Sequence, residues 1–136
     1  MITAVDCNVL LDVLGADPNF GPVSAKALRT ALREGQLLAC DVVWAEVAGS
    51  FVSTAAAQDA LKLLNMEFSP LTVEAALEAG IAWKAHRQRG GARTRVVADF
   101  LIGAHALFQA DRLLTRDRGF YRTYFKRLKI MDPTAP

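Results

Sequence analysis

The sequence predicts an α/β fold, a three-layer α/β/α sandwich around a central parallel sheet of about five short strands, and three observations predict it. Short β-prone apolar runs recur at residues 2–5, 37–40, 66–68, 112–115 and 128–131. Segments with apolar residues at helical spacing separate them, and parallel strands need helical crossovers. Acidic residues stand directly after strands, where open α/β sheets bind their ligands.

The elements follow in order. After the first run the chain stops at Asp6, and residues 8–14 read as a short helix ending at Gly15. Residues 17–22, with two prolines and a glycine, form a loop by their turn chemistry. The helix predicted over 23–34 turns Ala27, Leu28, Ala31 and Leu32 inward and stops at Gly35. The second strand leads to Asp41, an expected N-cap for a helix from Val42 to about residue 53, followed by a helix over 54–64. After the third strand and a turn over 69–72, Val73, Ala76, Leu77, Gly80, Ile81 and Lys84 recur at helical spacing until Gly90-Gly91. The helix over 97–110 has an almost continuous apolar surface, which implies burial on more than one side. The fourth strand leads through Asp117-Arg118-Gly119 into a short aromatic helix over 120–125, and the fifth closes the order.

At 136 residues, 52% hydrophobic and 22% charged, the chain suits one domain over 1–136 with a core that needs no disulfide or metal staple. No apolar run is long enough for a transmembrane helix, and residues 1–6 lack the basic segment of a secretory signal. Cys7 and Cys40, the only cysteines, are expected as reduced core thiols in a cytoplasm. The net charge of +2 hides a segregation: residues 84–129 carry a net +9 and the rest a net −7. Most of the cations in the basic segment are arginines, whose planar fork suits phosphate, so the charge favours a polyanionic partner, with a solvated basic face as the alternative reading.

Four acids fall where chemistry is expected: Asp6 after strand one, Glu46 after strand two, Asp99 near the start of the helix over 97–110, and Asp117 after strand four. Two carboxylates about 5 Å apart repel by roughly 3 kcal/mol at an effective dielectric of about 20. A cluster therefore needs protons or cations, and all-oxygen sites suit Mg²⁺ or Mn²⁺. Neither His86 nor His105 has zinc-site spacing. Each acid also has a structural reading: Asp6 and Asp41 as helix caps, Glu46 as a surface acid, and Asp99 as a partner of Arg95 one turn earlier. Asp12, Asp59, Asp111 and Glu78 are assigned to solvated faces, His105 to a packed position in a buried helix, and Trp44 and Trp83 to core or partner contacts.

Asp6-Cys7-Asn8, Glu46, the run from Arg95 through Asp99 to Ala106, and Leu114-Thr115-Arg116-Asp117-Arg118-Gly119-Phe120-Tyr121 resemble the PIN-domain nucleases, and in particular the VapC-like ribonuclease toxins of type II toxin–antitoxin pairs. The resemblance spans nearly the whole chain in order and spacing. Cys7 stands where a small hydroxyl residue is common in that family, and Asp41 where Ser or Thr is usual. The resemblance implies that Asp6, Glu46, Asp99 and Asp117 bind one or two Mg²⁺ or Mn²⁺ ions, with Asn8 and Thr115 as polar supports. It implies RNA hydrolysis by a water that the cation activates, leaving a 5′-phosphate and a 3′-hydroxyl. Arg93, Arg95, Arg112, Arg116, Arg118 and Arg122 are candidates for gripping the RNA backbone or bonding the site carboxylates. The expected partners are RNA (tRNA, rRNA or mRNA), a small antitoxin whose apolar helix lies in grooves near residues 42–64 with an Arg among the carboxylates, and a second copy of the chain. Competing readings are an RNA-processing PIN nuclease without a toxin role, a PIN module that binds RNA or protein without useful catalysis, and a haloacid-dehalogenase-like phosphatase. The last expects a second Asp where this chain has Asn8.

Overall fold

The computed structural model describes residues 1–91 and 97–135. Five parallel strands form one sheet: β1 (Ile2–Val5), β2 (Gln36–Cys40), β3 (Glu67–Ser69), β4 (Arg112–Leu114) and β5 (Ile130–Met131), in the order β3-β2-β1-β4-β5. Between them run α1 (Cys7–Leu14), α2 (Gly21–Glu34), α3 (Asp41–Ala48), α4 (Thr54–Leu63), α5 (Val73–Gln88), α6 (Val97–Gln109) and α7 (Arg118–Tyr124). The chain moves outward from β1 to β3, then crosses back to β4 and β5. Right-handed crossovers put the helices of those two legs on opposite faces, which gives the three layers. The order reverses between β1 and β4, and open α/β sheets bind ligands in the crevice at the carboxyl ends of the strands at such a point. β1 pairs with β4 through Val5 and Leu114, so Asp6 and Thr115 emerge side by side at that point.

The core is apolar where the strand pattern requires. Val5, Leu37, Leu113 and Leu114 in the strands, with Val9, Leu10, Val43, Val47, Leu61 and Phe100 from the helices, are almost fully buried. Gly103 of α6 sits where an added Cβ would lie 2.4 Å from the Phe125 ring, so α6 reaches its seat only because this position lacks a side chain.

Several boundaries differ from expectation for local reasons. α2 starts at Gly21 rather than residue 23, because Pro22 is suited to a first helical turn and the Asp17 carboxylate gathers the Asn19 and Phe20 N–H groups ahead of it. Asp41 is the first residue of α3 and not its cap; Cys40 holds the cap position. That helix ends at Ala48, where Gly49 caps it, and does not run on to residue 53. β3 lies one residue later than predicted because Leu38, Ala39 and Cys40 pair with Glu67, Phe68 and Ser69. α7 begins at Arg118, two residues early, and β5 keeps only Ile130 and Met131. In α4 and α6 the last predicted residue is outside the helix.

One predicted inward position is corrected, and packing decides the orientation of one helix face. Leu32 lies on the surface of α2, and the apolar stripe of α5 points outward: Val73 is 75%, Leu77 66% and Ile81 65% exposed. The buried residues of α5 are the small Ala75 and Ala79, with His86 near its end. Alanines allow α6 to approach closely, so they and not the larger residues occupy the inner face. His105 is buried as expected, its Nε2 3.0 Å from Ser69 Oγ. Among the described residues no helix is long and apolar enough to cross a membrane.

Candidate active site

Asp6 occupies the turn from β1 into α1 and is 6% exposed. Both its structural and its chemical readings have a basis in this geometry. Its Oδ1 accepts the Cys7 N–H at 2.7 Å, which caps α1. Its Oδ2 receives the Thr115 hydroxyl at 2.8 Å, the Tyr121 hydroxyl at 3.0 Å and the Asn8 amide at 3.3 Å. Burial pushes this carboxyl up to about 6; the bonds from Thr115, Tyr121 and Cys7 oppose that rise, and the Asp99 charge adds to it.

The supports of Asp6 are themselves linked. Asn8 Oδ1 accepts the Arg116 N–H at 3.3 Å, and Thr115 Oγ1 accepts the Asp117 N–H at 3.0 Å. Thr115 is fully buried, so its hydroxyl has a fixed direction. These bonds fold the segment after β4 back onto the segment after β1.

Glu46 projects from α3 on the exposed rim of the same crevice. Desolvation raises its pKa, a hydrogen bond from the Cys7 thiol lowers it, and Asp99 raises it. The thiol in turn is pushed up to about 12 by burial and then by the Glu46 and Asp6 charges, so it remains a protonated donor. Asp99, half-buried in the first turn of α6, acts electrostatically on Asp6, Glu46 and Tyr121. Asp117 is half-buried at the start of α7 and bears on Tyr121. Asp6, Asn8, Glu46, Asp99, Thr115 and Asp117 thus come to one rim. Among the described residues no three His, Cys, Asp or Glu side chains are gathered closely enough to cage an ion by themselves. This arrangement still fits Mg²⁺ or Mn²⁺, which are commonly held by one or two carboxylates with water completing the octahedron. The donors are hard oxygens; burial raises both Asp6 and Glu46, the Asp99 charge adds to each, and a divalent cation offsets both effects.

The arginines separate by position. Arg93 and Arg95, and with them the Arg95 pairing with Asp99, lie outside the described residues. Arg112 begins β4, so it sits at the opposite edge of the sheet, bonded to Thr3 Oγ1 at 3.0 Å and to Glu34 at 2.7 Å. Arg116 is bonded to Asp12 and stacks 4.0 Å over the Phe20 ring. Asp12 is accordingly buried at 5% exposure, with Ser24 Oγ donating to it at 2.8 Å, and does not occupy a solvated face. Arg118 reaches Asp132 at 3.5 Å while half exposed, and Arg122 is exposed.

Tyr121 is the residue that sequence reasoning missed. Its signal was present: it lies one helical turn after Asp117, on the inward side of a helix read only as aromatic.

The fold has solved counterparts at low identity. VapBC2 from Rickettsia felis bound to a DNA fragment from its promoter is 18% identical with a TM-score of 0.74, covering 97% of this chain and 98% of that one. VapBC-1 from nontypeable Haemophilus influenzae is 19% identical with a TM-score of 0.74, covering 99% and 100%. A toxin–antitoxin complex from Klebsiella pneumoniae is 19% identical with a TM-score of 0.62, covering 98% and 99%. No curated protein matches the chain. The family profile of the PIN domain matches residues 3–126, nearly the whole of the chain whose crevice and carboxylates are described above, and the chain belongs to the PIN domain family.

Proposed function

We propose that this protein is a metal-dependent endoribonuclease and the toxin of a toxin–antitoxin pair. The observation that carries the reading is the Asp6 carboxylate, buried at the switch point of the sheet, held by four donors and under the charge of Asp99, which also acts on Glu46. Asp6, Glu46, Asp99 and Asp117 would hold Mg²⁺ or Mn²⁺. Bound there, such a cation supplies acidification of a water and neutralisation of charge on the scissile phosphate. Thr115 and Asn8 keep Asp6 Oδ2 fixed. Arg122 and Arg118, exposed on the adjoining helix, bind the RNA backbone. The two free buried thiols fit a reducing compartment, the cytoplasm.

The partners follow from two surfaces. An apolar groove between α1, α2 and α4 is lined by Val13, Leu28, Leu32, Leu37, Leu63 and Leu64, with Leu63 83% exposed. A second, between α3, α4 and β3, is lined by Trp44, Ala45, Leu61 and Phe68. An antitoxin helix lies along these grooves and inserts an Arg among the carboxylates; a toxin–antitoxin complex among the structural counterparts supports an antitoxin as the partner. The outward stripe of α5 joins two copies. An antiparallel pairing centred at the level of residue 79 sets Leu77 opposite Ile81 and Glu74 opposite Lys84, so the face is self-complementary in both shape and charge.

The test is incubation of antitoxin-free protein with total RNA in Mg²⁺ or Mn²⁺, beside EDTA and the Asp6→Asn and Asp99→Asn variants. Discrete cuts with 5′-phosphate ends, lost with EDTA and in both variants, are expected. Folded, metal-supplied protein that cuts none of tRNA, rRNA and mRNA would refute the nuclease. Growth arrest on expression, relieved by the product of an adjacent gene, separates a toxin from an RNA-processing enzyme.

A further inference from the structure

We propose that Tyr121 is a positioning residue for the cation site, setting its metal affinity through the grip of its hydroxyl on Asp6 Oδ2. This rests on the metal-site reading above. The Tyr121 side chain is 1% exposed, and its O–H donates to Asp6 Oδ2 at 3.0 Å. Thr115 and Asn8 donate to the same oxygen, while a single main-chain N–H holds Oδ1. The bonds are thus unequally shared: three donors meet on Oδ2, and Oδ1 retains acceptor capacity. Gripped at both oxygens, the carboxylate cannot turn, and Oδ1 is the oxygen that would have capacity left for a cation. The Tyr121 ring is itself fixed, edge-on to Phe120 at 5.0 Å and tilted against Phe125 at 6.4 Å. Its backbone N–H bonds the Asp117 carbonyl, so a single turn of α7 carries both a candidate ligand and the hydroxyl that orients another. A phenylalanine would fill the same space without the grip. Partners that orient a metal ligand in this way alter affinity by about 10- to 100-fold when removed.

The experiment titrates Mn²⁺ into the full chain by calorimetry at a temperature well below unfolding, for wild type, Tyr121→Phe and Tyr124→Phe. Tyr124 is the chain's other tyrosine; its hydroxyl lies 2.6 Å from His86 Nδ1 instead of a candidate ligand. The expected result is an affinity at least about tenfold weaker in Tyr121→Phe, with Tyr124→Phe at the wild-type value. A merely structural role would lower the Tm of Tyr121→Phe and leave its Mn²⁺ affinity unchanged. Tyr121→Phe within twofold of wild type overturns the proposal while the metal site stands. A wild type that takes up no Mn²⁺ overturns the metal site and this proposal with it. Should Tyr121→Phe fail to fold, wild type labelled with 3-fluorotyrosine gives two ¹⁹F resonances, assigned through Tyr124→Phe. A saturable Mg²⁺-dependent shift of the Tyr121 resonance is then expected, and its absence overturns the proposal.

Discussion

Arg116 and Asp12 form a two-point ion pair, Nε to Oδ2 at 2.7 Å and Nη2 to Oδ1 at 2.9 Å, that fastens the end of β4 to α1. The guanidinium lies over Phe20, and Ser24 donates to the same carboxylate, so α1, the α2 entrance and the site-bearing segment share one joint. Replacing Arg116 by Gln leaves Asp12 buried with Ser24 alone. The expected loss is about 3 kcal/mol, the cost of stranding one partner of a buried pair. Urea unfolding at pH 7 measures it; a loss below about 0.5 kcal/mol, typical of exposed pairs, would show the joint to be solvent-weakened.

That engagement also decides which arginines are available to RNA. Binding of single-stranded RNA to metal-free Asp99→Asn protein should weaken with salt, and Arg122→Gln should lower the slope of log K against log[salt] by about 0.7. Arg112→Gln should leave it unchanged, because that side chain is committed to Thr3 and Glu34 at the far edge of the sheet. Equal slopes for all three proteins would remove Arg122 from the RNA path.

The carboxyl of Asp6, raised from 3.8 to about 6, makes stability depend on pH. Because the folded state holds this proton more tightly than the unfolded chain, its stabilising contribution is complete below pH 3.8 and is lost as pH rises through 6. At pH 7.5 the metal-free wild type therefore carries a penalty that Asp6→Asn lacks. The variant should be more stable by up to about 3 kcal/mol, read as a higher Tm, while cutting no RNA. Mg²⁺ should raise the Tm of wild type and leave the variant where it is. For wild type, Mn²⁺ affinity should fall below pH 6, by up to about tenfold per pH unit for one displaced proton. An affinity flat between pH 5 and 7.5 would remove Asp6 from the ligand set.

Leu77→Glu sets two like charges near the centre of the proposed α5 pairing. Sedimentation should find a dimer for wild type and a monomer for the variant, with the Tm of the monomer little changed because Leu77 is 66% exposed within one chain. A wild-type monomer at concentrations of about 100 μM would refute the pairing, since it corresponds to a Kd weaker than about 10⁻⁴ M.

Local chemistry made most of the architecture legible. Ile2–Val5 ends in Asp6, and Gly15, Gly35 and Gly90 stand where helical periodicity stops, so strands, helices and their alternation follow from neighbouring residues. Asp6 and Thr115 were legible as strand-end residues for the same reason. Helix faces were harder. In α5 the larger apolar side chains point outward and the alanines inward, because the available space against α6, and not hydrophobicity alone, selects what is buried. Asp12 and Arg116 stand 104 residues apart, so no window of sequence reveals that each neutralises the other.

The sequence by itself determined the order of strands and helices, because periodicity, capping and turn chemistry act over a few residues, and its motifs carried the PIN resemblance and the candidate acids. Tertiary structure alone decided that Tyr121 holds Asp6, that Arg116 belongs to Asp12, and that the α5 stripe is left uncovered. Those outcomes depend on which segments the β1–β4 pairing and the helix packing bring within bonding distance, and distance in space is not written in distance along the chain.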